Sequence, residues 1–260
     1  MFQIVGKEYF SEKVVKLEVE APMIAKSRRP GHFVIVRVGN GGERIPLTIA
    51  DANIERGTIT LVVQAVGDST RKICALEIGD SFTDVVGPLG QATHIEKVGT
   101  VVCCGGGVGV APLLPIIKAM KEAGNRVISI LAARTADLII LEDEVAKYSD
   151  EVVIMTDDGS KGQKGLVTAG VEAVVAREKV DLAVAIGPAV MMKFVALTTK
   201  KYEIPTIVSL NTIMVDGTGM CGACRVTVDG KTKFVCIDGP EFDAHKVDFD
   251  EMIMRLKAYN

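Results

Sequence analysis

The sequence predicts a small antiparallel β-barrel over residues 1–95, an α/β doubly wound parallel sheet over 96–210, and a small loop-built C-terminal subdomain over 211–260. Three observations predict it. Up to about residue 92, short alternating or β-branched runs are separated by turns. From Gly99, apolar strand runs alternate with helical ones. Past Asn211, the helices give way to a stretch rich in glycine and cysteine.

In the first part, the strand-like runs are 13–19, 33–38, 46–49, 58–65 and 81–86. One helical stretch, 70–76, interrupts them, and Gly67-Asp68-Ser69-Thr70 forms its start. Free N–H groups and the macrodipole make such a start attractive to phosphate. Ordinary N-capping by Ser69 or Thr70 leaves the same signature.

In the second part, strands are expected at 100–104, 126–132, 151–155, 182–186 and 206–210, with helices at 108–123, 137–147, 166–176 and 190–200. The turn Gly105-Gly106-Gly107-Val108-Gly109-Val110-Ala111-Pro112 lies between the first of these strands and the first helix. There, backbone can approach a pyrophosphate closely, so the string reads as a dinucleotide-binding turn; a plain tight turn is the competing reading. Strand-like runs follow at 224–228 and 232–237, and an amphipathic closing helix is expected over 249–259.

Asp216, Cys221, Cys224 and Cys236 read as Asp-x4-Cys-x2-Cys-x11-Cys. This is the plant-type ferredoxin ligand spacing with aspartate in the first position, and it points to a [2Fe–2S] cluster. Gly217, Gly219 and Gly222 allow the tight backbone that such a loop needs. The competing reading is a zinc site. It is disfavoured because structural zinc ribbons pair two short knuckles and only one is present. A thioredoxin-type pair would open a helix, whereas Cys224 leads into a strand-like run.

Composition narrows the field. A chain of 260 residues has room for two ordinary domains, and 48% hydrophobic against 24% charged residues is a globular balance. A net charge of −3 without a basic run argues against a nucleic-acid partner. The start MFQIVGKEYF lacks the features of a secretory leader, and no apolar run is long enough to span a bilayer. A cytoplasmic location without membrane contact is therefore expected. Cys74, Cys103 and Cys104 sit in apolar stretches and read as core thiols. His32, His94 and His245 are scattered, with no arrangement for acid–base hydrolysis.

The glycine turn at 105–112 resembles the GGxGxxP turn of the ferredoxin–NADP reductase family. The segments 44–49 and 67–70 resemble that family's flavin-binding segments. Further matching segments are Leu141-Glu142-Asp143-Glu144, Thr156-Asp157-Asp158-Gly159-Ser160 with Lys164-Gly165, and Gly187-Pro188 with Met191-Met192, so the resemblance covers nearly the whole chain. With the cluster loop added, it narrows to flavoprotein subunits with a terminal [2Fe–2S] site. These are the small subunits of NADH-dependent ferredoxin:NADP oxidoreductase, also described as sulfide dehydrogenase subunits, and the electron-transfer subunits of dihydroorotate dehydrogenase. Aspartate at 216 resembles the former, since the latter normally have cysteine there.

The resemblance implies FAD on the barrel, bound by Arg44, Pro46, Leu47, Thr48, Gly67, Ser69 and Thr70. It implies NAD(H) on the α/β part, bound by Gly105, Gly106, Gly107, Val108, Gly109, Pro112, Arg134, Asp157, Gly187 and Pro188. The segment Arg44-Ile45-Pro46-Leu47-Thr48 departs from the family's R-x-Y-S pattern, with Leu47 in place of tyrosine and Arg44 one residue early. Ile186 stands where many members have cysteine. NAD(H) is preferred over NADP(H), because Arg134 stands alone and Glu142-Asp143-Glu144, Asp157 and Asp158 would oppose a 2′-phosphate.

The implied function is electron transfer between NAD(H), FAD and the cluster. The implied partner is a larger iron–sulfur flavoprotein subunit that binds NADPH and ferredoxin, in a heterodimer that could bifurcate electrons. The alternatives are an electron-transfer subunit of dihydroorotate dehydrogenase and a non-catalytic redox-sensing or partner-binding module. No catalytic side chain is implied, because the cofactors carry the chemistry.

Overall fold

The structure, a computed structural model, describes residues 2–257. Two compact units form: Met1–Thr93 with Ile213–Arg225 and Phe234–Pro240, and His94–Thr212 with Val226–Lys233 and Glu241–Asn260. The segment 211–260 is thus shared between the two units.

The first unit is built on β1 (Phe2–Ser11), β2 (Val14–Glu20), β3 (Phe33–Arg37), β4 (Ile45–Asn53), β5 (Thr58–Gln64), β6 (Ser81–Phe82) and β7 (Asp84–Leu89). Helix α1 (Pro22–Ser27) lies between β2 and β3, and α2 (Asp68–Cys74) between β5 and β6. The strands run antiparallel in the order β6-β1-β2-β5-β4-β3-β7, a nearly closed barrel sheet. Alternation sets its inside: Val15, Leu17 and Val19 of β2 and Ile59, Leu61 and Val63 of β5 are buried. Each such side chain contributes about 1.5–3 kcal/mol through burial.

Strand β1 and helix α1 were not predicted. Of β1 only Ile4 is buried, so its sequence has weak alternation, and its long ladder with β2, from Ile4↔Val19 to Ser11↔Val14, holds it. Helix α1 is six residues opened by Pro22, a position that tolerates proline because its N–H would be unpaired anyway.

The second unit follows β8 (Thr100–Gly106), α3 (Val110–Glu122), β9 (Arg126–Ala133), α4 (Glu142–Ala146), β10 (Glu151–Thr156), β11 (Gln163–Lys164), α5 (Val167–Val175), β12 (Leu182–Ile186), α6 (Ala189–Lys201) and β13 (Thr206–Ser209). The C-terminal stretch adds β14 (Arg225–Val228), β15 (Lys231–Phe234), α7 (Val235–Asp238), β16 (Glu241–Asp243) and α8 (Phe249–Lys257). The last two residues of the predicted closing helix lie outside the described residues. The sheet order is β11-β10-β9-β8-β12-β13-β16. All pairs are parallel except β13 with β16, which pair antiparallel. Val101, Val102, Cys103 and Cys104 of β8 are all buried, as befits a central strand covered on both faces. Burial pushes the Cys104 thiol up to about 12, in keeping with a core thiol.

Three predicted elements differ. The strand expected at 81–86 divides into β6 and β7, which pair with β1 and β3 at the two ends of the barrel sheet. The helix expected at 137–147 is confined to α4, because Leu141 adopts a left-handed backbone (φ 57°) with its side chain buried, and a short 3-10 turn at Ala136–Leu138 precedes it. The strand expected at 232–237 ends at Phe234, and Cys236 lies in the helical turn α7.

Candidate functional site

The loop carrying Asp216, Cys221 and Cys224, and the turn carrying Cys236, belong to the same unit as the barrel. Gly217 has φ 78°, and a Cβ there would lie 2.7 Å from Ile35 Cγ1 and 2.9 Å from Leu89 Cδ1. The loop is therefore pressed against β3 and β7 with backbone that only glycine supplies without strain.

Within the loop, Asp216 is held at both oxygens. Oδ2 accepts the Thr218 hydroxyl at 2.7 Å, the Met220 amide at 3.1 Å and the Thr218 amide at 3.2 Å. Oδ1 faces Cys221 Sγ at 2.7 Å. Hydrogen bonds from Cys221 and then Thr218 hold the carboxyl well below the usual carboxylate range. Cys224 and Cys236 form a second pair: Cys224 Sγ is 3.3 Å from Cys236 Sγ, and the Cys236 amide donates to Cys224 Sγ at 3.5 Å. Burial, followed by the neighbouring Cys224 thiol, pushes the Cys236 thiol up to about 12. A coordinated cation reverses that balance, because it deprotonates a thiol outright.

Among the described residues, no three His, Cys, Asp or Glu side chains converge as on a single metal ion. Asp216 with Cys221 and Cys224 with Cys236 instead form two pairs. Three thiols and an ionised carboxylate, set two and two, fit a two-iron cluster in which each iron takes two protein ligands. A mononuclear tetrahedral site needs all four together.

On the barrel, Pro46, Leu47 and Thr48 lie in β4, paired with Ile35, Val34 and Phe33 of β3. The Leu47 side chain packs on the barrel core. At the start of α2, the Thr70 hydroxyl accepts the Gly67 and Val66 amides at 2.9 and 3.0 Å, so it is committed to closing the turn. The Ser69 hydroxyl donates to Glu43. The Arg44 guanidinium reaches the cluster loop, where Nε donates to the Val215 carbonyl at 3.0 Å and Nη2 to the Asp216 carbonyl at 3.3 Å.

In the α/β unit, β8 pairs with β9 on one side and β12 on the other. The strand order thus reverses at β8, while the strands stay parallel, and a crevice is expected beyond the carboxyl ends of β8 and β12. Gly105 and Ile186 are ladder partners, so the turn of Gly105, Gly106, Gly107, Val108 and Gly109 and the turn of Gly187 and Pro188 leave the sheet side by side. A Cβ at Gly109 would run into the Ile186 carbonyl, so glycine is required for the two turns to meet. Pro112 occupies the first turn of α3, where a missing N–H costs nothing. Met192 is fully buried, while a Cβ at Gly106 or Gly187 would strike Met191, so both methionines serve packing.

Arg134 follows β9 and Asp157 follows β10. The parallel ladder brings both to one edge, with the Asp157 amide donating to the Ala133 carbonyl at 3.1 Å and the Asp158 amide to the Arg134 carbonyl at 3.3 Å. Asp158 Oδ1 accepts the Ser160 hydroxyl at 2.7 Å, which holds its carboxyl below the usual range. Glu142 pairs with Lys161. Thr218 was not singled out from sequence, although a threonine two residues after an aspartate is a recognisable local hydrogen-bonding signature.

An antiparallel barrel, a parallel sheet with a glycine turn at its switch point, and a loop with an Asp–Cys and a Cys–Cys pair define a reductase of the flavin and nicotinamide class with an iron–sulfur appendage. Residues 211–248 match the model of the iron–sulfur cluster binding domain of dihydroorotate dehydrogenase B, and residues 103–197 that of the oxidoreductase NAD-binding domain. A dihydroorotate dehydrogenase B (NAD(+)) electron transfer subunit homolog of Thermotoga maritima is 49% identical over 257 residues, covering 99% of this chain and 91% of its own. The dihydroorotate dehydrogenase B (NAD(+)) electron transfer subunit of Bacillus caldolyticus is 32% identical over 253 residues, covering 94% and 96%. A chain of the solved NADH-dependent reduced ferredoxin–NADP oxidoreductase, a structure that bears on flavin-based electron bifurcation, superposes with a TM-score of 0.96 at 47% identity, covering 100% of this chain and 94% of that one.

The chain belongs to the family of dihydroorotate dehydrogenase B electron-transfer subunits and their homologues. It is an oxidoreductase-family subunit of the iron–sulfur flavoprotein type, with FAD, NAD(H) and an iron–sulfur cluster as its cofactors. No helix among the described residues is long and apolar enough to cross a membrane.

Proposed function

We propose that this chain is the NAD(H)-linked subunit of an NADH-dependent ferredoxin:NADP oxidoreductase, and that it passes electrons between NAD(H) and a larger iron–sulfur flavoprotein subunit. The observation that carries the reading is the two-and-two donor set with Asp216 in the first position, in a chain that also has the switch-point glycine turn. When bound, NAD(H) supplies or accepts a hydride, FAD joins two-electron to one-electron exchange, and the cluster carries single electrons.

The protein's own residues hold and orient. Asp216 with Cys221, and Cys224 with Cys236, would each hold one iron of the cluster. Pro46, Leu47 and Thr48 run along the flavin, and the backbone amides of Ser69 and Thr70 receive its phosphates, with Gly67 opening the turn. Gly105, Gly106, Gly107, Val108, Gly109 and Pro112 receive the nicotinamide dinucleotide's pyrophosphate, while Gly187 and Pro188 shape the nicotinamide end. Arg134 and Asp157 face the adenosine end, where Asp157 and Asp158 disfavour a 2′-phosphate. Positioning alone serves the hydride step. The division of labour is then flavin on 1–95, nicotinamide on 96–210 and cluster on 211–260, in a protein of the cytoplasm.

The names and domain match of the relatives favour a second reading, an electron-transfer subunit of dihydroorotate dehydrogenase. Anaerobic native purification with mass spectrometry of copurifying chains separates the two. A large iron–sulfur flavoprotein that reacts with NADPH and ferredoxin is the expected outcome. A dihydroorotate-oxidising chain would move the assignment to the second reading. This chain recovered alone would count against both.

A further inference from the structure

Arg44 stands just before β4, whose first residue, Ile45, is already in the ladder opposite Val36. Position 44 is outside that ladder, and its side chain crosses to the cluster loop. Nε and Nη2 grip the consecutive carbonyls of Val215 and Asp216 at 3.0 and 3.3 Å. Nη1 lies 4.0 Å from Asp84 Oδ2, the same carboxylate oxygen that Arg37 Nε holds at 2.6 Å. A guanidinium is a rigid planar fork that stays charged, so a grip on two successive carbonyls fixes the backbone as well as the cation.

We propose that Arg44 is a positioning residue for the cluster rather than a ligand of the flavin diphosphate. It fixes the peptide that carries Asp216 and keeps a permanent positive charge beside that ligand. This rests on the cluster assignment above. Reduction of a cluster adds negative charge, which a neighbouring cation stabilises, and outer-shell hydrogen bonds tune both ligand orientation and potential. Arg44 therefore raises the cluster's reduction potential. Its side chain is 30% exposed, so water screens the charge only in part.

The test is an EPR-monitored redox titration of the whole chain, purified anaerobically with its cofactors, together with FAD and iron analysis. Arg44→Ala is expected to keep FAD at wild-type stoichiometry, move the cluster to a more negative potential and alter its EPR line shape. Arg44→Lys, which keeps the charge but loses the fork, is expected to recover part of the potential while the line shape stays altered. Potentials and spectra identical to wild type in both variants would overturn the inference. So would loss of FAD with the cluster unchanged, which would return Arg44 to the flavin. Should Arg44→Ala fail to fold, Arg44→Lys decides by its line shape. Absence of a two-iron signal from the wild-type chain itself would instead overturn the cluster assignment, and this inference with it.

Discussion

Thr218 gives both its hydroxyl and its amide to one oxygen of Asp216, Oδ2, at 2.7 and 3.2 Å. The Met220 amide adds a third bond at 3.1 Å, so that Oδ1, the oxygen facing Cys221, is the one that would meet iron in the proposed cluster. A carboxylate has two oxygens where a thiolate has one sulfur, and this arrangement would make Asp216 a one-atom ligand under the proposed function. Thr218→Val removes the hydroxyl bond, and hydrogen bonds to charged groups are worth about 1.5–3 kcal/mol. The variant should assemble its cluster but lose it in air several-fold faster, read as bleaching of the visible spectrum. A decay rate equal to wild type would show that Oδ2 needs no such restraint.

The two-and-two donor set predicts different outcomes at one position. Asp216→Cys supplies a sulfur in place of Oδ1, so iron and sulfide content should be preserved while the potential changes. Asp216→Ala leaves Cys221 alone on its iron, and iron content should fall by about half or more, as severe as loss of a ligand implies. Iron and sulfide analysis checks both. An unchanged spectrum and potential in Asp216→Cys would mean that Asp216 is not a ligand.

Gly109 lies against the Ile186 carbonyl, so Gly109→Ala must push apart the two turns at the switch point. Affinity for NAD+ should drop about tenfold or more, since even 1.4 kcal/mol of misfit is a factor of ten. FAD and iron content should stay at wild-type levels. Calorimetric titration with NAD+ provides the measurement, and the wild-type chain should bind NAD+ more tightly than NADP+. Equal affinity in wild type and variant would remove the turn from the nicotinamide site.

His32 introduces a pH dependence. Its Nδ1 accepts the Arg29 amide at 3.1 Å, which requires that nitrogen to be unprotonated. Burial, and then the charges of Arg29 and Arg28, push its pKa below the ordinary 6.5. The folded state thus takes up the proton less readily than the unfolded chain, and stability rises with pH across the interval between the two values. The contribution is complete above about pH 6.5 and is lost as pH falls through the lower folded value. Melting temperature should therefore decline from pH 7.5 to 5.5, and His32→Asn should show a shallower decline over the same window. Parallel curves would assign the slope to other groups.

The barrel strands β2 and β5 and the buried strand β8 are legible from sequence because their signals are local, alternation every second residue in the first two and an unbroken apolar run in the third. The same holds for the cluster loop, where Asp216, Cys221 and Cys224 fall within nine residues and the glycines between them announce its backbone. Strand β1 is not legible, since only Ile4 is buried and its pairing with β2 defines it. Strand β16 is too short to carry a pattern and takes its antiparallel place from β13.

The amino-acid sequence by itself determined the class of fold and the glycine turn, and it nominated Asp216, Cys221, Cys224 and Cys236 as the proposed cluster donors, because each is written in residue types and short spacings. The tertiary structure alone decided how the donors divide into pairs, that Cys236 rides a helical turn, and that Arg44 grips the Asp216 peptide 172 residues away. A hydrogen bond forms wherever packing brings donor and acceptor within about 3 Å, and separation along the chain carries no trace of that distance.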